Sequence, residues 1–483
     1  MKTRAPATPA TTHFPPGLPR RDFLRRVLAA GTVSIFTPRL LLAQGKTKAT
    51  PKKFTGEKVR LACAGIGGRG NDVIKQMNDT GIASIVALCD TDMGAPHTLG
   101  TLKRFPNAPR FQDFRKMLDK MAGDIDAVCI CTPDVSHFAI AMHAMALGKH
   151  VYVEKPMAHT FRQIEVMMAA EKKYKVITQM GNQGHSEANY FQFKAWVDAG
   201  VIKNVRKITA YMNLLSRWHG NAKLRFPNVT GFLPAEPIPD TLDWDCWLAT
   251  ALEHDYNKGY MDGTWRAWYD FGNGTLGDYA PHIFDTAHEF LNLGLPVEVE
   301  AVKLDGYNKF IFPQASTLAF RFPARGAMPP LTLTWYDGAN NRPPFPPELP
   351  ETANDGEPVR LSAGKFIYGE GLTFMGNSHG AILRVLPAEK ARAMASTLPP
   401  IPKSPSNHYA NFLLACKGVE KTRSPFSVAG PLCEVMALGV IAQRLNAKFA
   451  FDRDTKQVTD NKIANELLKG VPPRKGWEQY YVL

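Results

Sequence analysis

Cysteine is scarce in this chain, seven in 483 residues, and the count is odd. Cys63, Cys89, Cys129 and Cys131 fall in apolar, strand-like runs, where a thiol behaves as a small buried hydrophobe. That usage argues against a disulfide framework in a chain of this size, and Cys129-Ile130-Cys131 is not metal-ligand spacing. No cluster of metal-ligating residues and no internal repeat can be read, so no metal is expected. Long unbroken apolar runs are missing as well: Val27 to Ala43 is interrupted by Thr37-Pro38-Arg39, too short and too broken for a comfortable membrane span. Acidic residues fall short of basic ones, 44 against 58, for a net charge of +14. The first 45 residues hold seven Lys/Arg and one Asp, which leaves about +8 on the rest, scattered rather than striped. Nucleic-acid binding is therefore not expected.

What is present is an ordinary globular composition, 45% hydrophobic and 21% charged, long enough for about two to three domains. Residues 1–45 read as a leader. Pro19-Arg20-Arg21-Asp22-Phe23-Leu24-Arg25-Arg26 and the apolar run after it resemble a twin-arginine export signal, the alternative being a disordered basic tail. A leader that is not cleaved would remain as an anchor. Residues 46–57 read as a Lys/Thr-rich linker, and the expected location is the periplasm or another exported compartment.

The chemistry begins at Val59 to Gly70, an apolar strand entering a glycine turn, Gly65-Ile66-Gly67-Gly68-Arg69-Gly70, and then a helix from about Asn71. Gly65, Gly67 and Gly70 fit G-x-G-x-x-G, the pattern that lets backbone approach a pyrophosphate at a helix N-terminus. Taken alone it is also the pattern of a plain glycine turn. A second buried strand, Ala83 to Cys89, ends at Asp90, whose carboxylate would accept hydrogen bonds from ribose hydroxyls and disfavour a 2′-phosphate, so NAD is expected over NADP. A helix cap is the competing role for Asp90. Strand and helix keep alternating through Ile125–Cys131, Val135–Leu147 and Val151–Val153, the signature of a doubly wound parallel sheet over residues 58–180. Thr132, Pro133, Glu154 and Lys155 then share the carboxyl rim with Gly65 and Asp90. Lys155, extended by the following Pro156, could hold a substrate hydroxyl against nicotinamide and stabilise its developing charge; in isolation it also reads as a solvated loop lysine.

The glycine turn, Cys131-Thr132-Pro133 with His137, and Gly148-Lys149-His150-Val151 through Glu154-Lys155-Pro156 resemble the glucose-fructose oxidoreductase / inositol dehydrogenase / MocA (Gfo/Idh/MocA) family. The resemblance implies an N-terminal Rossmann domain followed by an α/β domain with an open, mainly antiparallel sheet that supports the substrate cleft and a homo-oligomer interface. It also implies cofactor contacts at His137 and Asn182, with substrate-facing groups at Gln183 and His185.

Over residues 181–483, runs at 205–215, 297–302, 316–322 and 331–336 read as strands, the later ones joined without helices, and residues 338–405 read as an irregular insertion with a few short strands. The helices from His408 and from about Gly430 to Leu445 are expected to pack on the sheets. Asp278 and His282, four apart, share a helix face if the helix starts by Asp278, and Pro281, tolerated only in a first turn, requires the helix to begin close to it. In the family they imply His282 as acid/base and Asp278 as its partner, although Ala280-Pro281 departs from the usual glycine-containing pair; a cap and a packed histidine are the plainer roles. Trp265 and Arg266 are weaker candidates for contacting a sugar. The reading is an exported NAD-dependent oxidoreductase acting on a sugar, cyclitol or polyol hydroxyl, with the dinucleotide tightly bound. Transient-oxidation glycoside cleavage and a non-catalytic sugar or cofactor sensor are the alternatives.

Overall fold

The computed structural model describes residues 56–212, 229–352, 356–357 and 359–483. Residues 1–45, read as a leader, most of the stretch read as a linker, and the end of the run read at 205–215 lie outside the described residues.

Six parallel strands make the first sheet: β1 Val59–Ala64, β2 Ala83–Cys89, β3 Arg110–Phe111, β4 Ala127–Ile130, β5 His150–Val153 and β6 Thr178–Met180, in the order β3-β2-β1-β4-β5-β6. All four residues of β4 are buried, as a strand covered on both faces requires. Helices α1 Arg69–Asp79, α2 Leu99–Arg104, α3 Phe114–Lys120, α4 Asp134–Ala146 and α5 Phe161–Tyr174 alternate with the strands. Strand order reverses between β1 and β4, and the crevice beyond their carboxyl ends is where such a sheet takes a ligand.

After α6 Ala188–Asp198 the chain builds a nine-stranded sheet from β7 Lys207–Met212, β8 Glu298–Asp305, β9 Ala315–Phe322, β10 Leu331–Asp337, β11 Gly364–Tyr368, β12 Thr373–Asn377, β13 Arg384–Leu386, β14 Lys448–Asp452 and β15 Gln457–Val458. Its order is β13-β12-β11-β7-β10-β9-β8-β14-β15, antiparallel except for the parallel β7–β10 pair. β10 alternates buried and half-buried residues along its length, the period-two pattern of a sheet with one face in the core. The stretch read as an irregular insertion supplies β11, β12 and β13, which extend this sheet.

Helices α7 Trp244–Leu248, α8 Gly274–Ile283, α9 Asp285–Phe290, α10 Ala388–Met394, α11 His408–Cys416, α12 Phe426–Leu445 and α13 Lys462–Lys469 complete the protein. Two helix starts differ from the sequence reading. α8 begins at Gly274, so Pro281 stands in its last turn; the start is fixed by Asp134, whose carboxylate accepts from Asn273 N at 3.0 Å and Asn273 Nδ2 at 3.2 Å. At the end of the helix Lys365 Nζ satisfies Ile283 O at 2.9 Å. α12 likewise begins at Phe426, with Pro431 inside it, because Glu171 accepts from Phe426 N (3.0 Å) and Ser427 N (2.9 Å). By length and composition α12 could cross a membrane, but most of it is buried within this protein, against α5, α8 and β8.

The C-terminal stretch returns to the first sheet. Tyr409, Phe412, Leu413 and Cys416 of α11 join the core of β1, β2 and α1, while Trp477 and Tyr480 pack on Phe114.

Candidate functional site

The glycine turn after β1 is built by close approach. Gly65 has φ 77°, and a Cβ there would lie 2.5 Å from Cys131 O; a Cβ on Gly70 would lie 1.9 Å from Gly65 O. Gly67 is covered by the His97 ring, whereas Gly68, with φ 47°, has nothing within 4 Å of a Cβ position. Asp90 Oδ2 accepts from Ile66 N at 3.0 Å and its Oδ1 from Asp92 N at 3.2 Å, so the acid at the end of β2 braces the turn. His97 Nε2 stands 3.7 Å from Asp90 Oδ1, and the interaction with Asp90 raises the imidazole's pKa.

These residues open on a cavity of about 460 Å³. Gly65, Gly67, Gly68, Arg69, Asp90, Thr132, Pro133, Trp265 and Arg266 line it; Ile66, Gly70, His137, Glu154, Lys155, Asn182, Gln183, His185, Asp278 and His282 do not. The far wall comes from the second sheet's domain. Asp243 N donates to Thr91 O at 2.8 Å, Leu242 bridges Asp92, and Cys246, Trp247 and Met261 to Arg266 continue the wall. The cavity fits a dinucleotide. Space is left beside Gly68, the α1 N-terminus has no side-chain cap, and a carboxylate closes β2. Gly67, Gly68 and the first N–H groups of α1 would hold the pyrophosphate, and Asp90 the ribose hydroxyls.

Behind Arg69 and Arg266 lies a second group. Lys155 Nζ donates to Asp278 Oδ1 at 2.5 Å and to Asp278 O at 2.8 Å, with both side chains largely buried. Arg266 Nε stands 3.8 Å from Asp278 Oδ1, and its guanidinium lies 4.1 Å over the Trp265 ring. His282 is buried with no hydrogen-bond partner on Nδ1. Burial, with Lys155 and His379 adding like charge, holds its pKa well below the usual imidazole value. Lys155 and Asp278 thus meet, and His282 lies near enough to both to feel their charges.

Other candidates have structural partners. The two ring nitrogens of His137 lie 2.9 Å from Pro156 O and 2.8 Å from Thr132 O, so the ring, donating to one of them, sits between the end of β4 and the Lys155 loop. Arg69 Nε donates to Glu154 at 3.1 Å and its NH2 to Tyr409 OH at 2.8 Å, and Gln183 accepts from Arg69 while donating to Gly181 O. Asn182 and His185 both reach Asp285, at 3.1 and 2.5 Å, with Glu289 2.6 Å from His185. Burial opposes a charge on His185, but Asp285 and Glu289 prevail and push its pKa up to about 10.

Three neighbours were not singled out from sequence. Tyr409 arrives from α11, His97 covers Gly67, and His379 stacks on His282 with centroids 3.9 Å apart and planes at 22°. None carries a local signal, since each meets its partner across a long sequence separation or from a stretch without periodicity.

A dinucleotide cradle at the switch point of a parallel sheet, facing a mixed and mostly antiparallel second sheet, defines a two-domain NAD-binding oxidoreductase fold. Residues 59–182 match the NAD-binding Rossmann fold of an oxidoreductase family, and residues 193–308 match that family's C-terminal alpha/beta domain. The chain belongs to the Gfo/Idh/MocA family. Among solved structures it resembles the WlbA dehydrogenase from Bordetella pertussis in complex with NADH and UDP-GlcNAcA, at 17% identity and a TM-score of 0.55 over 82% of this chain and 99% of that one. An aldose-aldose oxidoreductase from Caulobacter crescentus complexed with glycerol is similar at 17% identity and a TM-score of 0.51, over 82% of this chain and 100% of that one. Among curated proteins, a glycosyl hydrolase family 109 protein of Shewanella amazonensis is 31% identical over 31% of this chain and 35% of its own length. An alpha-N-acetylgalactosaminidase of Shewanella oneidensis is 29% identical over 34% of this chain and 39% of its length. The match spans little more than a third of these curated relatives.

Proposed function

We propose that this protein is an NAD-dependent enzyme that moves a hydride between nicotinamide and a hydroxyl-bearing carbon of a sugar, cyclitol or related polyol. The observation that carries the reading is the convergence of Lys155, Asp278 and buried His282 beside a dinucleotide-shaped cavity. When bound, nicotinamide supplies the hydride acceptor or donor. His282, kept neutral at neutral pH, takes the hydroxyl proton. Two donors of the Lys155 ammonium are committed to Asp278 O and Oδ1, which aims the third at a substrate oxygen, where it stabilises the developing alkoxide. Asp278 acts by fixing Lys155. Trp265 offers a flat face to a sugar and Arg266 a planar donor set.

The wall from Leu242 to Arg266, tied to Thr91 and Asp92, supports retention of the dinucleotide between turnovers. Retention is what an exported enzyme needs where free NAD is scarce, and the twin-arginine-like leader supports export. Asp90 supports NAD over NADP. A homo-oligomer built on the nine-stranded sheet completes the proposal, with light scattering as its check.

A second reading is favoured by the names of the curated relatives: oxidation is transient, a glycosidic substituent is eliminated, and the hydride returns, giving net glycoside cleavage. Incubation with a panel of sugars and polyols, followed at the nicotinamide absorbance, tests the first reading. Release of phenol from aryl glycosides without added NAD tests the second. Tight ligand binding with neither activity would identify a sensor instead.

A further inference from the structure

The tip of the β12–β13 hairpin reaches the site described above. His379 lies there with φ 56°, a left-handed conformation unusual for a residue with a side chain. Neighbouring contacts hold the turn in place. His379 N donates to His282 O at 3.3 Å, Ser378 N to Ala363 O at 2.8 Å, and Asn189 N to Gly380 O at 3.0 Å. A Cβ on Gly184 would lie 2.9 Å from Gly380 N, so the turn is seated closely on the segment after β6. Ser378 Oγ, 2.8 Å from His379 Nδ1, sets the ring's rotation. The exposed imidazole that results lies nearly parallel to buried His282 at 3.9 Å. Tyr279 meets His379 edge-on at 6.3 Å.

We propose that His379 is a positioning residue for His282, covering one face of its ring so that the imidazole keeps a single plane beside Lys155 and is shielded from water. The inference rests on the proposed hydride-transfer reading for the catalytic meaning of that plane, but the stacking itself can be tested without it. The charged groups around the pair are Lys155, Asp278 and Arg69, with His379 itself the fourth titrating neighbour. Burial and Lys155 lower the pKa of His379, which leaves it uncharged near neutral pH and able to stack on a neutral ring. At acid pH a charged His379 would oppose proton uptake by His282.

The test uses the full chain labelled at histidine Cε1, with His282 assigned by His282→Gln. His379→Asn tolerates the left-handed backbone but removes the ring, and His379→Phe keeps a flat face without a charge. We expect the His282 resonance to broaden or shift in the Asn variant, with its titration moving upward by about one pH unit, and to stay sharp in the Phe variant. On a substrate that the wild type turns over, the Asn variant should lose about tenfold in kcat with KM changed less than about twofold, and Phe should restore most of it. An unchanged His282 resonance and titration in both variants overturns the proposal. So does a loss confined to KM, which would make His379 a substrate contact. If no substrate is turned over by the wild type, the hydride-transfer reading fails while the resonance measurement still decides the stacking role.

Discussion

Lys155 Nζ grips Asp278 twice, at Oδ1 (2.5 Å) and at the main-chain oxygen (2.8 Å), across the joint between the parallel sheet and the second domain. One contact thus fixes a donor in the site and joins the two halves of the protein.

Removing either partner takes a short charge contact out of a largely buried place, the side chains being only 13% and 6% exposed. Lys155→Ala and Asp278→Ala should each lower stability by about 3 kcal/mol in urea unfolding. The double variant should cost less than the two single losses added together. Turnover should fall at least about 100-fold in Lys155→Ala with the dinucleotide still bound. Full activity in that variant and in His282→Ala would sink the mechanism.

The glycine turn separates steric need from conformational need. Gly70→Ala places a methyl against Gly65 O and should reduce dinucleotide affinity more than about tenfold, read by nicotinamide fluorescence on titration. Gly81→Ala is the converse: its φ of 73° carries a backbone strain that Gly70 does not have, nothing lies within 4 Å, and it stands away from the cavity, so it should cost about 1 kcal/mol of stability and leave affinity unchanged.

Buried histidines give stability a dome in pH. Burial lowers His150 and His288 to about 4 and His408 to about 3. The unfolded chain therefore takes up protons that the folded one refuses as pH falls from about 6.5 toward 4, and each group removes roughly 1.4 kcal/mol per pH unit within that window. His185 has the opposite sign. Its contribution is complete below about 6.5 and is lost as pH rises toward about 10. Melting temperatures across pH 4.5 to 9.5 should fall on both sides, and His185→Gln should flatten the alkaline side. An alkaline slope identical to wild type in that variant would refute the assignment.

Arg69 is held between Glu154 and Tyr409. Tyr409→Phe removes one hydrogen bond and should cost about 1 kcal/mol. Arg69→Met leaves Glu154, 4% exposed, without its cation and should cost about 3 kcal/mol. Denaturant midpoints distinguish the two.

Much of the first sheet could be read from the chain because buried parallel strands write themselves as apolar runs: Val128 to Ile130 and Val151 to Val153 have no polar face to disguise them. A four-residue spacing puts Asp278 and His282 together in the sequence, but no local pattern announces that Lys155, 123 positions away, also reaches the carboxylate. The starts of α8 and α12 were misplaced for a related reason. Proline rules are local, while Asp134 and Glu171, which anchor those starts, come from the other end of long chain separations. His379 and Tyr409 were silent because stacking and a single hydroxyl contact leave no period in the sequence.

The return of α11 and of Trp477 and Tyr480 to the parallel sheet sets an order of events. The dinucleotide cradle is encoded before the residues that cover its apolar back, so a nascent chain carries an unfinished core until α11, Trp477 and Tyr480 have been made. A fragment ending at Met180 should be poorly soluble on its own, and the described residues should unfold as one cooperative body despite the two sheets.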